Sequence, residues 1–91
     1  MLRIDLRRDV RKIIAALPPK HARQVAQKII GLAENPEPHD SIVLKGKCAA
    51  FRRADVGEYR IVYRVEGGTL KVFLVGKRND NEIYRKLKRL S

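Results

Sequence analysis

Four side chains in the second half of the sequence can bind phosphate groups and assist reactions at phosphorus: Arg53, Arg60, Arg78 and Tyr84. Arginine grips phosphate oxygens with parallel hydrogen bonds and stabilises the negative charge that develops at phosphorus. RNA cleaves itself when a 2′-hydroxyl is aligned with the adjacent phosphorus, so a protein needs mainly to distort the backbone, neutralise charge and manage protons. These four residues therefore predict an RNA-cleaving site without a metal, provided that the fold brings them together.

Each candidate also has an ordinary structural explanation. Arg60 can be a surface arginine on a strand, and Tyr84 can be an aromatic residue that packs a helix rather than one that stacks on a base. The sequence has no phosphate loop, no nucleophile elbow and no pair of zinc ligands. Four carboxylates at predicted turns or a helix start are expected to serve as caps, turn residues or charge partners: Asp55, Glu58, Asp80 and Glu82.

The net charge independently favours an anionic partner. The chain has 91 residues, with 21 lysines and arginines against 10 aspartates and glutamates, which gives a net charge of +11. Such a surface attracts a polyanion or an acidic protein by long-range electrostatics. An anionic membrane is a third candidate, but surface-bound helices use bulky apolar anchors and the sequence has no tryptophan. Charge that serves only solubility is the remaining explanation.

Composition also limits the kind of site and the location. Cys48 is the only cysteine, which excludes an internal disulfide and a cysteine-based zinc site. His21 and His39 are far apart in sequence, so we predict no metal and no cofactor. No apolar run approaches the ~18 residues of a membrane helix, and the first residues lack the apolar core of a signal peptide. We expect one domain over residues 1–91, in the cytoplasm and with no membrane partner.

The first half of the sequence predicts a strand and then two helices. Alternating apolar residues over 2–6 are typical of a half-buried strand. Apolar residues then recur at helical spacing over 10–17 and over 22–33. Pro18-Pro19 separates the two helices, because the residue before a proline avoids helical geometry and Pro19 can begin the next helix. An antiparallel helical hairpin is predicted. The apolar stripe of its second helix is predicted to contain Ala22, Val25, Ala26, Ile29, Ile30 and Ala33.

The second half predicts antiparallel strands with two unlike faces. Gly67-Gly68 suits the tight primed turn of a hairpin, and pairing through it sets Tyr63 opposite Val72 and Ile61 opposite Leu74. Because side chains alternate along a strand, one face is predicted to be apolar and to pack on the helices. The opposite face is predicted to be basic, partly aromatic and suited to binding. It would carry Arg60, Val62, Arg64, Lys71, Phe73 and Val75.

The strand before this hairpin is expected to add a further arginine to the basic face. A loop at Val56-Gly57 would set Arg53 opposite Arg60 and bury Ala54, whereas a loop one residue longer would set Arg52 opposite Arg60. We prefer the first register, because it buries an alanine rather than an arginine. Like charges directly opposite each other destabilise a sheet, so two facing arginines indicate that a phosphate normally sits between them.

The end of the sequence completes the predicted fold. Strict alternation would place Arg78 on the apolar face, but Gly76 permits a bulge that redirects it. Polar residues at 79–81 can cap a final helix with Tyr84 in its first turn. The pattern predicts an α+β fold in the order βααβββα, with a small antiparallel sheet, an N-terminal helical hairpin on one face and a C-terminal helix. Residues expected to add to RNA binding are Lys45, Lys47, Phe51, Arg52, Arg64, Lys71, Phe73, Lys77, Arg85 and Lys88.

These elements and motifs resemble the RelE/ParE superfamily of toxins from bacterial and archaeal toxin–antitoxin pairs. The resemblance covers essentially the whole chain. The Tyr-Arg-Ile-Val-Tyr and Gly-Lys-Arg…Tyr blocks together are a fairly specific signal of this superfamily, although either block alone is a weak signal. The segments that carry it are Leu44-Lys45-Gly46, Gly57-Glu58-Tyr59-Arg60-Ile61-Val62-Tyr63, Val75-Gly76-Lys77-Arg78 and Glu82-Ile83-Tyr84.

The RelE branch of this superfamily consists of messenger-RNA endonucleases that act in the ribosomal A site. The resemblance implies the same activity here, with the family's active-site arginines falling on Arg60 and Arg78 and its tyrosine on Tyr84. The implied chemistry is attack by a 2′-hydroxyl that leaves a cyclic phosphate. The two arginines would stabilise charge, and the tyrosine would position the RNA or aid proton transfer.

One strand departs from the RelE pattern. RelE toxins have two lysines at alternate positions of the preceding strand, where this chain has Phe51 and Arg53. Arg53 keeps the charge but is a worse base, because guanidinium hardly deprotonates. Phe51 can stack on a base instead, and the identity of the general base stays open.

Two alternatives and one partner follow from the resemblance. The ParE branch shares the fold, lacks this catalytic set and inhibits DNA gyrase, and a non-catalytic RNA- or ribosome-binding module is the other alternative. The combination of Arg60, Arg78 and Tyr84 favours the RelE branch, which has the ribosome and mRNA as partners. A toxin also implies a cognate antitoxin, whose acidic segment would suit the positive charge in a hetero-oligomer.

Overall fold

The fold begins with an edge strand and two helices. The computed structural model describes residues 1–44, 50–79 and 85. Strand β1 (Arg3–Leu6) leads into helix α1 (Arg8–Ala16), and helix α2 (Pro19–Glu34) follows. As predicted, α1 ends before the two prolines and Pro19 is the first residue of α2. No helix in the described ranges is long and apolar enough to cross a membrane.

The strands form one five-stranded sheet in the order β1-β5-β4-β3-β2. The predicted α+β class is confirmed, and so is the predicted order of the elements up to β5, with a further short strand at the edge. The sheet is mixed rather than wholly antiparallel, because β1 pairs parallel to β5. The predicted C-terminal helix lies outside the described residues, except for Arg85, which is helical. The remaining strands are β2 (Ser41–Val43), β3 (Arg52–Val56), β4 (Tyr59–Glu66) and β5 (Thr69–Lys77).

The main core lies between the two helices and one face of the sheet. Burial of apolar area from water drives this packing. Leu32 is fully buried, whereas the predicted stripe contained Ile30, which is 46% exposed. The buried face of α2 is therefore rotated relative to the predicted stripe. Its buried residues still recur at helical spacing. The buried residues of this core include Val10, Val25, Ile29, Leu32, Ile61, Tyr63, Leu70 and Val72.

The hairpin between β4 and β5 begins as predicted and then departs from strict alternation. Gly67 and Gly68 have φ angles of 53° and 79°, as a type I′ turn requires, and Tyr63 lies opposite Val72. Beyond this pair β5 contains one extra residue, Phe73, which has no partner on β4. This is a β-bulge, which inserts one residue and reverses the faces of all residues that follow.

The bulge corrects several predicted pairs. Ile61 lies opposite Val75 instead of Leu74, and Tyr59 lies opposite Lys77 instead of Gly76. Val75 therefore joins the main core, and Leu74 turns to the other side of the sheet.

One partly buried hydrogen bond ties the end of α2 to the centre of the sheet. The side chain of Tyr63 is fully buried, and its hydroxyl donates to the backbone carbonyl of Pro36 at 2.6 Å. The bond fixes the connection between α2 and β2 against β4. A buried carbonyl that loses its donor retains its full desolvation cost.

Tyr63→Phe should lower the free energy of unfolding by about 1–2 kcal/mol, because it leaves the Pro36 carbonyl without its donor. Urea denaturation measured by circular dichroism checks this value. Tyr59→Phe is the matched control, since the Tyr59 hydroxyl makes no hydrogen bond within the described part of the chain. Equal losses in the two variants would contradict the importance of the Tyr63 bond.

Candidate nucleic-acid interface

Strand β3 brings Arg53 and Asp55 onto the same face of the sheet as Arg60. The turn between β3 and β4 is Gly57-Glu58, one residue later than predicted, with a φ of 57° at its glycine. Asp55, and not Arg53, therefore lies opposite Arg60. The true register differs from the predicted one by two residues, so the predicted faces are correct and Ala54 is buried. An arginine–aspartate pair replaces the expected pair of arginines.

The bulge in β5 brings Arg78 to this same face. Arg78 comes two residues after Gly76 and therefore lies on the same face of the sheet. Gly76 lies opposite Arg60. Its backbone N–H donates to the carbonyl of Glu58 at 3.0 Å, which continues the strand pairing past the end of β5. A redirecting bulge was predicted, but its extra residue is Phe73 rather than Gly76. Arg53, Arg60 and Arg78, together called the arginine cluster below, thus share the face that is turned away from α1 and α2, called the second face.

Asp55 and Arg60 form a two-point ion pair within the arginine cluster. Arg60 Nε donates to Asp55 Oδ1 at 2.7 Å, and Arg60 Nη2 donates to Asp55 Oδ2 at 3.3 Å. The arginine side chain is 13% exposed and the aspartate side chain is 35% exposed. Two parallel bonds to a planar guanidinium are the arrangement that arginine also uses for phosphate. The pair therefore holds Arg60 in a fixed orientation that suits an oxyanion.

The arginines around Asp55 lower its pKa. The largest cause is the hydrogen bond from Arg60, which partial burial of the carboxyl opposes. The charges of Arg60, Arg53 and Arg78 lower the pKa further. Asp55 is consequently ionised at neutral pH, and one negative charge faces three positive ones.

The second face also carries an apolar cluster that was not predicted. Leu44, Phe51, Val62 and Leu74 are buried there, and Phe73 packs against them. The ring of Phe51 is 5% exposed and meets the ring of Phe73 edge to face, with 5.0 Å between centroids. The expectation that Phe51 offers a free ring for base stacking does not hold, because packing against other apolar groups removes that ring from water. Phe73 stays partly exposed.

Arg64 lies beside the two aromatic rings of this apolar cluster. Its guanidinium carbon is 5.1 Å from the ring centroid of Phe51 and 5.0 Å from that of Phe73, which are stabilising cation–π distances. Glu66 forms ion pairs with both Arg64 and Lys71, which lie opposite each other. The carboxylate offsets the repulsion of these facing cations. Both predicted RNA-binding cations thus already have protein partners.

Arg52 lies on the helix side of the sheet, opposite Tyr63. Its Nη2 donates to Ser41 Oγ at 2.9 Å, and its Nη1 is 3.9 Å from a carboxylate oxygen of Glu37. These contacts fasten the edge strand β2 to β3. The alternative register that set Arg52 opposite Arg60 is therefore wrong. Arg52 lies on the helix side, as the preferred register implied, and its expected role in RNA or ribosome binding stays a prediction.

The other predicted binding residues are divided between exposed positions and positions outside the described residues. Lys77 and Arg85 are exposed. No group of three or more metal-binding side chains occurs in the part of the chain that the structure describes. Roles predicted for residues outside the described ranges stay predictions, and these residues are Lys45, Lys47, Tyr84 and Lys88.

Comparison with known proteins gives the family. The model for the ParE toxin of type II toxin–antitoxin systems matches residues 4–82. The chain belongs to this toxin family. A search of curated protein sequences gave no significant match.

Solved structures similar to this ParE-family toxin share its fold. The isolated RelE toxin of Escherichia coli has a TM-score of 0.75 and 23% identity, and the alignment covers all of both chains. The RelBE2 toxin–antitoxin complex of Mycobacterium tuberculosis gives 0.74 and 22%, over 85% of this chain and 98% of the other. The YoeB/ParE toxin of Agrobacterium tumefaciens gives 0.71 and 18%, over 85% and 99%. The resemblance to the RelE/ParE superfamily is confirmed.

The position of Asp55 in this toxin's site was not predicted from the sequence. Its expected role as a charge partner is confirmed, but its place inside the arginine cluster was not foreseen. The sequence contains a usable signal, because Val56 is β-branched and favours a strand, while Gly57 suits a turn position with positive φ. Together they move the turn to Gly57-Glu58 and set Asp55 opposite Arg60.

Asp55→Asn should lower the free energy of unfolding at pH 7 by on the order of 1 kcal/mol, the value for a half-exposed ion pair. The folded-state pKa of Asp55 lies below the value of about 3.9 for an unfolded aspartate. Its stabilisation is therefore complete above about pH 4 and is lost as the pH falls through the folded-state pKa.

The curves of unfolding free energy against pH for wild type and Asp55→Asn should accordingly converge below about pH 4. Chemical denaturation across the acid range measures them. The pKa values of Asp40 and Glu66 are also lowered, by Lys28 and Lys71 respectively, but these effects cancel in the difference between wild type and variant. A difference that stays constant as the pH falls would show that charge does not stabilise the pair.

Proposed function

We propose that this toxin is a ribosome-dependent endoribonuclease that cleaves translated mRNA in the ribosomal A site. The observation that carries the proposal is the convergence of Arg53, Arg60 and Arg78 on one face of the sheet. Three arginines on one face of neighbouring strands suit an RNA backbone, because negative charge increases at the reacting phosphate. The isolated E. coli RelE toxin has the same fold.

The proposed reaction is an attack of the RNA on itself. The 2′-oxygen bonds to the adjacent phosphorus, the bond from phosphorus to the 5′-oxygen breaks, and the products are a 2′,3′-cyclic phosphate and a 5′-hydroxyl. Arg60 and Arg78 bind the non-bridging oxygens, and Arg53 adds positive charge. Guanidinium groups remain protonated at neutral pH, so the 2′-hydroxyl proton leaves to water. Tyr84 positions the RNA or aids protonation of the leaving oxygen.

A cognate antitoxin is the proposed regulatory partner. The family consists of toxins of toxin–antitoxin systems, and the similar structures include RelBE toxin–antitoxin complexes from M. tuberculosis and E. coli. The net charge of +11 suits an antitoxin with an acidic toxin-binding segment, in a cytoplasmic hetero-oligomer.

Inhibition of DNA gyrase is the second candidate function. The matching family model is that of ParE toxins. In addition, neither position of the RelE lysine pair holds a group that can accept a proton, because the side chain of Phe51 is a hydrocarbon and that of Arg53 is a protonated guanidinium. These two observations favour a toxin that binds a protein target rather than one that cleaves RNA.

Induction of the toxin in growing cells, followed by primer extension on translated messages, tests the first proposal. Wild type should cleave, and Arg60→Ala, Arg78→Ala or Tyr84→Phe should each reduce cleavage by about 100- to 1,000-fold, the usual loss when one transition-state contact is removed. Arg23→Ala removes an equal charge from the exposed surface of α2 and should retain cleavage.

Absence of cleavage together with inhibited gyrase would replace this proposal with the second candidate. Absence of any toxicity, with RNA or ribosome binding retained, would instead indicate a non-catalytic binding module. In that case loss of any single surface lysine should weaken binding by a similar amount and reduce its salt dependence.

A further inference from the structure

We propose that Asp55 occupies the position of a substrate phosphate on the Nε/Nη2 edge of Arg60, so that an RNA phosphate binds this edge by displacing an internal carboxylate. Asp55 is then the residue that sets the affinity and selectivity of the arginine cluster for anions. The identification of the anion as an RNA phosphate rests on the proposed function. The competition itself rests on the contacts of Asp55.

The contacts of Asp55 use the atoms that a phosphate would need. Both of its oxygens accept hydrogen bonds from Arg60, one from Nε at 2.7 Å and one from Nη2 at 3.3 Å. These two nitrogens form one of the guanidinium edges that can bind two oxygens of a phosphate. A carboxylate and a phosphate cannot both occupy this edge, and they therefore compete for it.

The neighbouring charges make the competition electrostatic. Arg53 and Arg78 lie close enough to Asp55 for their charges to act on it. An incoming phosphate gains the attraction of the same two arginines but meets the repulsion of Asp55. Removal of that one negative charge should therefore increase the affinity for anions through Arg60 more than a charge change elsewhere on the surface does.

The unequal exposure of the two partners shows how the exchange can occur without unfolding. The Asp55 side chain is the more exposed, at 35%, whereas Arg60 is held at 13%. Only Val56 separates Asp55 from the Gly57-Glu58 turn, so Asp55 lies near the end of β3. The carboxylate can rotate into solvent while the guanidinium keeps its place against the sheet. The anion site is in this sense already formed around a carboxylate in the free protein.

Binding of an uncleavable RNA tests the inference. The probe is a short single-stranded RNA with every 2′-hydroxyl methylated, and its affinity is measured by fluorescence anisotropy at several salt concentrations. Asp55→Asn should bind about two- to five-fold more tightly than wild type, as expected for loss of a half-exposed charge competitor. The slope of log affinity against log salt should steepen by about 0.7, the value for one counterion on a single strand, because the variant lacks the carboxylate that takes up a cation when RNA displaces it.

Three further variants assign the gain in affinity to its cause. Glu34→Gln makes the same change in net charge at an exposed position on α2 and should give less than half of the gain. Asp55→Glu retains the charge and should bind like wild type. Adding Arg60→Ala to Asp55→Asn should abolish the gain. A gain equal to that of Glu34→Gln, or one that persists without Arg60, would overturn the inference.

A measurement on the wild-type protein is independent of how the variants fold. The NMR signals of the Asp55 carboxyl carbon and the Arg60 Nε–H group should shift together when the methylated RNA is added. RNA binding that leaves the Asp55 signal unchanged would overturn the inference even if every variant unfolds.

The two proposals can fail separately in these experiments. If translated mRNA is cleaved but Asp55→Asn binds the methylated RNA no more tightly than Glu34→Gln does, the inference fails and the proposed function stands. If Asp55→Asn gains affinity through Arg60 but no mRNA is cleaved, the proposed enzyme activity fails and the displacement of Asp55 stands.

Discussion

A single inserted residue in β5 determines which side chains reach each face of the sheet. The pairing of β4 and β5 is regular from the Gly67-Gly68 turn as far as Tyr63 and Val72, where Phe73 is added. Beyond that point the alternation is reversed, which places Val75 in the main core and Arg78 beside Arg60. A regular strand would have directed Arg78 towards the helices, where a guanidinium would lose its hydration without a partner. The arginine cluster therefore depends on the bulge.

The second face shows how a small protein can concentrate positive charge without losing stability. Asp55 is placed among the arginines at one end of the face, and Glu66 joins Arg64 to Lys71 at the other. Between these charged ends, the buried rings and aliphatic groups of the apolar cluster cover the middle of the sheet. The face is therefore more structured than a uniformly basic surface. Its charged groups are held in fixed orientations before any partner arrives.

The sequence predicts which face of the sheet a side chain lies on better than it predicts which residues pair between neighbouring strands. Hydrophobic alternation correctly assigned Arg53 and Arg60 to one side and Ala54 to the other, because a register error of two residues preserves the face. The turn residues Gly67-Gly68 were equally informative. The bulge could not be located, because it depends on whether Leu74 or Val75 packs better against the helices, and both residues are apolar. The contacts of Arg52 with Ser41 and Glu37 were not predicted, because these partners come from an edge strand and a loop with weak sequence patterns.

The parallel pairing of β1 with β5 joins the beginning of the described chain to its last strand. Arg3 lies opposite Thr69, and Leu6 lies opposite Val72, so these contacts span most of the sequence. A ribosome that synthesises this protein must therefore release β5 from its exit tunnel before the sheet can be completed. Contacts between such distant segments also slow folding, because a long chain must be closed before they form. The second face of the nascent toxin is therefore incomplete until β5 has been synthesised.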